Sequence, residues 1–109
     1  MDPTDYKALK ISRRGRILEI ALNRPEKLNA VNRELHHDLF QVFRAAAVDR
    51  DSDVVILTGT GKNFSAGGDI GFLESCLADP AEFERVAYEG KQIVYSLLDL
   101  EKPVIAKVN

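Results

Sequence analysis

Asp53 leads into Val54-Val55-Ile56-Leu57-Thr58, an unbroken apolar run of strand length, and no other segment restricts the possible folds as tightly. A strand without polar alternation is the pattern expected when both faces are covered in a parallel sheet. Parallel strands need a long crossover, and here a helical segment separates the first run from a second, Val104-Ile105-Ala106-Lys107-Val108. The two runs are therefore expected to pair in parallel through a right-handed crossover. Inside it, Asp79-Pro80-Ala81-Glu82 combines an N-cap acid, a proline at the first helical position and a capping-box glutamate, so a helix starts there. Its apolar stripe of Phe83, Val86, Ala87, Gly90, Ile93 or Val94, Leu97 and Leu98 carries it to about Leu100, and Pro103 stops it.

Upstream, residues 6–12 and 16–22 both reach strand length, and Leu18, Ile20 and Leu22 alternate onto one face. Arg13-Arg14-Gly15 reads as the hairpin turn between them. With no interleaved aromatics, Arg13, Arg14 and Arg16 read as a solvated turn rather than a basic binding patch. After the polar loop Asn23–Lys27, Asn32 can cap a helix whose apolar positions are Leu35, Leu39, Val42, Phe43 and Ala46. His36 and His37 are neighbours, so they point about 100° apart and cannot chelate one ion as an i, i+4 pair can. They are expected to be solvated or half-buried.

The bulk properties remove whole classes of function. The 109 residues allow one domain at most, and 45% hydrophobic with 29% charged residues describes a folded chain without a membrane span. A net charge of -2 offers no attraction to a nucleic-acid backbone. Met1-Asp2-Pro3-Thr4-Asp5 lacks the basic start and apolar core of a secretory leader, which suggests a cytoplasmic protein. Cys76 is the only cysteine, so no internal disulfide or cysteine-based zinc site is expected. It reads as a small helix filler.

Gly59-Thr60-Gly61-Lys62, following the central strand, invites comparison with phosphate-binding loops, and both nucleotide fingerprints fail. A Walker loop needs glycine where Ile56 stands and Ser or Thr where Asn63 stands, while a dinucleotide loop needs glycine at Phe64. A plain tight turn remains. Next comes Asn63-Phe64-Ser65-Ala66-Gly67-Gly68-Asp69-Ile70, small residues ending in an acid that can cap a helix. Such a segment lets a ligand approach the backbone closely, and unpaired amides backed by a helix dipole can hold a developing negative oxygen. That is half an oxyanion hole; on these grounds alone, such a turn is structural more often than functional.

The segment NFSAGGDI, preceded by VVILTG and further upstream by ALNRPEKLNAVN, resembles the crotonase superfamily, also called the enoyl-CoA hydratase/isomerase family. The final EKPVIAKVN is also similar to that family's strand leading to its second site motif. The resemblance implies an α/β fold, a crotonase-like spiral of strand-strand-helix units, of which residues 1–109 form an incomplete N-terminal portion of a single domain. It further implies an acyl-CoA thioester as the partner, assembly as homotrimers or hexamers, and two backbone amides that bind the thioester oxygen of an enolate-like intermediate. Coenzyme A is part of the substrate, and neither a separate cofactor nor a metal is implied. Carried across, the first amide is that of Gly68, and the Ala66 carbonyl meets the adenine. Lys27, Leu28 and Ala30 lie in the loop along the coenzyme A arm, with Ser65 and Gly67 in the oxyanion segment, Asp69 as helix cap and Ile70 as pocket wall. Lys27 either approaches a phosphate or stays solvated.

In the family the second oxyanion glycine and the usual acid/base glutamates lie beyond the position of Asn109. Glu74, on the helix after the oxyanion segment, reads as a surface acid near a helix start rather than a pocket residue, so no catalytic base is assigned. The expected activity is hydration of a 2-enoyl-CoA. Isomerisation, decarboxylation or thioester hydrolysis would use the same oxyanion apparatus. A non-catalytic coenzyme A-binding or assembly module, or an α/β domain with a structural glycine turn, are the readings from other classes. An apolar terminal strand also predicts an unpaired sheet edge and uncovered helix faces.

Overall fold

The computed structural model describes residues 1–109. Strands β1 (Leu9–Arg14), β2 (Ile17–Leu22), β3 (Val54–Gly59) and β4 (Val104–Ala106) form one sheet in the order β1-β2-β3-β4. Helix α1 (Arg33–Val48) connects β2 to β3, and α2 (Ile70–Ala78) with α3 (Pro80–Asp99) connects β3 to β4. The β1-β2 pair is antiparallel and the other two pairs are parallel, as the alternation of helical crossovers requires. The chain thus has the α/β architecture expected of it, a strand-strand-helix unit followed by further parallel strands.

Register decides where the core lies. Leu9 faces Leu22, Ile11 faces Ile20, Leu18 faces Val55 and Ile20 faces Leu57, so these side chains share one face of the sheet. Leu35, Val42, Phe43 and Ala46 of α1 pack on that face in one apolar cluster with Leu9, Leu18, Ile20, Leu22 and Val55. Asn32 caps α1 by accepting the Leu35 N–H at 3.0 Å, and Asp79 caps α3 through the Ala81 N–H at 3.1 Å. The opposite face carries Lys10, Ser12, Glu19, Ala21 and Thr58 around an open concavity of 490 Å³. Cover on both faces of β3 is therefore not realised within these residues: the helices lie on one side, and Ile56 is only half-buried.

Three further expectations need correction. The hairpin turn is Gly15-Arg16, with Arg13 and Arg14 inside β1, and only Gly15 has the left-handed φ of 59° that the turn uses. The arginines are not merely solvated. Arg13 makes two 2.9 Å hydrogen bonds to Asp49, and Arg16 pairs with Asp53 at 2.7 Å, so both pin the hairpin to the α1-β3 loop. The stripe read on α3 is only partly buried: Phe83, Val94 and Leu98 are exposed, whereas Glu82 and Glu89 are buried. Glu82 is held between Arg33 and Arg85, so it does not act as a capping-box acid, and Glu89 faces the Nδ1 atoms of His36 and His37 at 3.4 and 3.3 Å. Charge partners on α1 override the apolar periodicity of α3 there. The sheet edge at β4 and the apolar faces of α2 and α3 are uncovered, as expected, with Ile105, Leu77 and Leu98 all exposed.

Asp49 is the focus of a buried polar cluster beneath the hairpin. It accepts from Arg13 and from Ser52 Oγ at 2.6 Å, while Lys102 Nζ donates to Ala46 O, Asp49 O and Ser52 Oγ and so caps the end of α1. The Arg13 hydrogen bond, reinforced by Ser52 and opposed by desolvation, holds the Asp49 carboxyl well below the usual carboxylate range. A carboxyl whose folded pKa is depressed contributes stability above its unfolded pKa of about 4, and that contribution fades as pH falls below this value. Asp49→Asn is therefore expected to destabilise the chain by about 2 kcal/mol at pH 7. Urea denaturation of both proteins from pH 7 to pH 2 should show the gap narrowing; a constant gap would remove the linkage.

Candidate functional site

The site segment is built from two loops that the sheet brings side by side, one after β2 and one after β3. The first contains a short 3-10 turn, Pro25–Lys27, followed by Leu28 and Asn29, both at φ 54°. Left-handed backbone is costly for non-glycine residues, and asparagine is among the few that accept it. Asn29 is also fully buried. Its Oδ1 accepts the Arg24 N–H at 2.8 Å, and its Nδ2 donates to Thr60 O at 3.0 Å and Asn63 O at 2.8 Å. One side chain thus ties the first loop to the second and satisfies backbone groups of both.

The ties continue along the second loop. Ser65 Oγ donates to Asn29 O at 2.8 Å and accepts the Gly67 N–H at 3.1 Å, and the Ala66 N–H donates to Leu28 O at 3.0 Å. Asn109 donates to Gly59 O at 2.8 Å and Gly61 O at 2.7 Å, holding the turn after β3 from the other side. Gly67 has a φ of 93°, a backbone conformation that side chains strongly disfavour.

Val31 then settles the direction of the Gly68 amide. The Val31 N–H donates to Gly67 O at 2.7 Å, and Val31 O accepts from the Asp69 N–H at 2.9 Å, a single parallel bridge between Val31 and Gly68. In such a bridge the bonds run to the residues on either side of the facing one, so the facing residue turns its own N–H and C=O the other way. The Gly68 N–H accordingly donates to no group of the chain. It sits on an exposed segment immediately before α2, whose N-terminus carries partial positive charge. This amide is free to receive an anionic or polarised oxygen.

Asp69 caps α2 by accepting the Phe72 N–H at 3.1 Å. That bond is the main reason its carboxyl lies below the usual range, opposed by partial desolvation and assisted by the Arg24 charge. Arg24 Nη1 lies 3.5 Å from Asp69 Oδ2 and donates to Ala30 O.

Of the residues singled out from sequence, Leu28, Ala30, Ser65, Ala66, Gly67, Gly68 and Asp69 come together on this surface. Lys27 is exposed and makes no ion pair, and Glu74 is exposed on α2. Ile70 is 73% exposed and borders none of the three concavities of the chain. None of those concavities, of 490, 460 and 350 Å³, is lined by residues 63–70. Cys76 is buried on α2 and forms no disulfide. Sequence alone assigns no individual role to Arg24, Asn29 or Val31, although all three stand within ALNRPEKLNAVN. Asparagine followed by a small residue after a proline turn was the available signal. No cluster of His, Cys, Asp and Glu suited to a metal is present, and no helix is long and apolar enough to cross a membrane.

Comparison with known proteins finds relatives that match nearly the whole chain. The sequence profile described as enoyl-CoA hydratase/isomerase matches residues 12–109. The chain is 33% identical over 110 residues to enoyl-CoA delta isomerase 2 of Homo sapiens, covering 97% of this chain and 27% of that protein. It is 37% identical over 103 residues to carnitinyl-CoA dehydratase of Proteus mirabilis, covering 94% of this chain and 38% of that protein. Among solved structures, an enoyl-CoA hydratase/isomerase from Mycobacterium paratuberculosis superposes with a TM-score of 0.92 at 34% identity, over 96% of this chain and 43% of that one. An enoyl-CoA hydratase from Thermoplasma volcanium gives 0.82 at 42% identity, over 94% of this chain and 40% of that one. The chain spans well under half the length of each of these relatives.

Proposed function

Since the chain belongs to the enoyl-CoA hydratase/isomerase family, we propose that its Gly68 N–H is one donor of an oxyanion site for an acyl-coenzyme A thioester. The observation that carries this reading is the unpaired Gly68 amide at the mouth of α2, kept outward by the bonds Val31 makes to its two neighbours. A thioester enolate forms readily only when charge on its oxygen is stabilised as it develops. A backbone amide suits that task because it is held by the fold and does not titrate at working pH.

The surrounding loops supply the rest of the reading. The exposed loop Lys27–Ala30 would run along the coenzyme A arm, and Lys27, free of any ion pair, is available to a phosphate. The Ala66 carbonyl would meet the adenine, a role the family resemblance implies and one compatible with its accepting no loop hydrogen bond within the chain. Ile70, exposed on the first turn of α2, would wall the acyl pocket once that surface is covered. Coenzyme A enters as the carrier of the substrate, with no separate cofactor. Asp69 is committed to capping α2 and Glu74 is exposed on that helix, so proton transfer is assigned to neither.

The favoured reaction is hydration of a 2-enoyl-CoA, with the whole protein acting as a trimer or a pair of trimers. Isomerisation of the double bond is the second reading, favoured by the human isomerase among the relatives. Calorimetry with coenzyme A, then incubation with crotonyl-CoA and a 3-enoyl-CoA, tests both. Loss of the conjugated enoyl absorbance from crotonyl-CoA indicates hydration; its appearance from the 3-enoyl thioester indicates isomerisation. Absence of binding to either thioester would overturn the reading, and binding without turnover would turn it into a coenzyme A-binding module. Sedimentation of the same protein tests the trimer.

A further inference from the structure

Asp69 presents an electrostatic difficulty for any oxyanion donor at Gly68. Its carboxylate is needed to cap α2, and the Phe72 N–H keeps it ionised. Yet it belongs to the residue directly after the amide that would hold a negative oxygen, and a like charge so close opposes the charge being stabilised. Solvent screens it incompletely, because the Asp69 and Arg24 side chains are only 27% and 15% exposed.

Arg24 removes the difficulty by its position. Its guanidinium lies 3.5 Å from Asp69 Oδ2 while the same Nη1 donates to Ala30 O, and its backbone N–H is fixed by Asn29 Oδ1. We infer that Arg24 is a positioning residue for the Gly68 donor: it neutralises the Asp69 cap and ties α2 to the 27–30 loop, so that the amide faces the substrate oxygen without net negative charge beside it. The inference rests on the reading of Gly68 given above. Arginine suits the role better than lysine because its planar, always-charged head can serve a carbonyl and a carboxylate together.

The test uses the full-length protein with crotonyl-CoA and four forms: wild type, Arg24→Gln, Asp69→Asn and the double variant. Arg24→Gln is expected to lower kcat about tenfold, with the KM for thioester changed less than about threefold. Adding Asp69→Asn should restore most of that kcat, because asparagine caps a helix about as well as aspartate without its charge. The Raman carbonyl stretch of bound crotonyl-CoA provides a second readout. It should move toward the free-thioester position in Arg24→Gln and return in the double variant.

A purely structural Arg24 predicts the opposite pattern: lower thermal stability, with no recovery of kcat or carbonyl polarisation on removing the Asp69 charge. That outcome, or an unchanged kcat in Arg24→Gln, overturns the inference while leaving Gly68 in place. Should Arg24→Gln fail to fold, the double variant decides: kcat within about threefold of wild type supports the inference, and any larger loss overturns it. A wild-type protein that binds crotonyl-CoA without shifting its carbonyl stretch removes the Gly68 reading and this inference together.

Discussion

Replacing Gly68 with proline is expected to lower kcat by about 10²–10³-fold while coenzyme A affinity stays within a few-fold, the effect of deleting one oxyanion donor. The substitution adds a ring that fixes φ and removes the N–H, and that N–H serves no bond within the fold. A Cβ at this position would lie 3.2 Å from Leu73 Cδ1, the end of a flexible and half-exposed side chain that can move aside. The fold should therefore survive, and thermal melting of the variant provides that control. Gly68→Ala separates the two contributions, since it adds the same Cβ but keeps the donor; it should retain most of the turnover. Equal losses in the alanine and proline variants would mean that crowding against Leu73, not hydrogen bonding, is what the position controls. Unchanged turnover in the proline variant would take Gly68 out of the mechanism.

Gly59→Ala should produce the largest loss of stability of any glycine-to-alanine change in this chain. Gly59 ends β3, and the backbone of the site loop crosses directly over it. A Cβ there would lie 2.3 Å from Asn63 O, 2.5 Å from Phe64 O and 2.8 Å from Phe64 Cα, all main-chain atoms with no side-chain freedom to yield. Relief requires lifting residues 63–64 off the strand, which would also break the hydrogen bond from Asn29 Nδ2 to Asn63 O. We expect a cost of about 3 kcal/mol or more, at the upper end for overpacking because rigid backbone is involved. Gly15→Ala is the contrasting case. Nothing lies within 4 Å of its Cβ, and only the φ of 59° is unfavourable, so the expected cost is about 1 kcal/mol. Urea denaturation with an unchanged m-value distinguishes the two; similar midpoints for both variants would contradict the crossing geometry.

Local sequence signals suffice where neighbours in sequence are also neighbours in space. The caps at Asn32, Asp69 and Asp79 depend on residues only two or three positions away, and all three were legible. The apolar run at Val54 and the crossover to Val104 likewise implied the parallel pairing that the sheet contains. Buried charge was not legible. Glu82 and Glu89 interrupt the helix stripe, and their burial depends on Arg33, His36 and His37, about fifty residues upstream. Arg13 and Arg16 likewise looked like a solvated turn because their partners, Asp49 and Asp53, lie beyond the whole of α1.

The same division runs through the site. Composition along residues 63–70 determined that small residues would precede a capped helix, because glycine permits unusual backbone and close approach wherever it stands, and aspartate favours helix starts whatever surrounds it. Only the tertiary structure decided that the Gly68 N–H is left over. That outcome requires Val31, distant in sequence, to take the carbonyl of Gly67 and the amide of Asp69, and hydrogen-bond direction follows from which strands meet rather than from residue type.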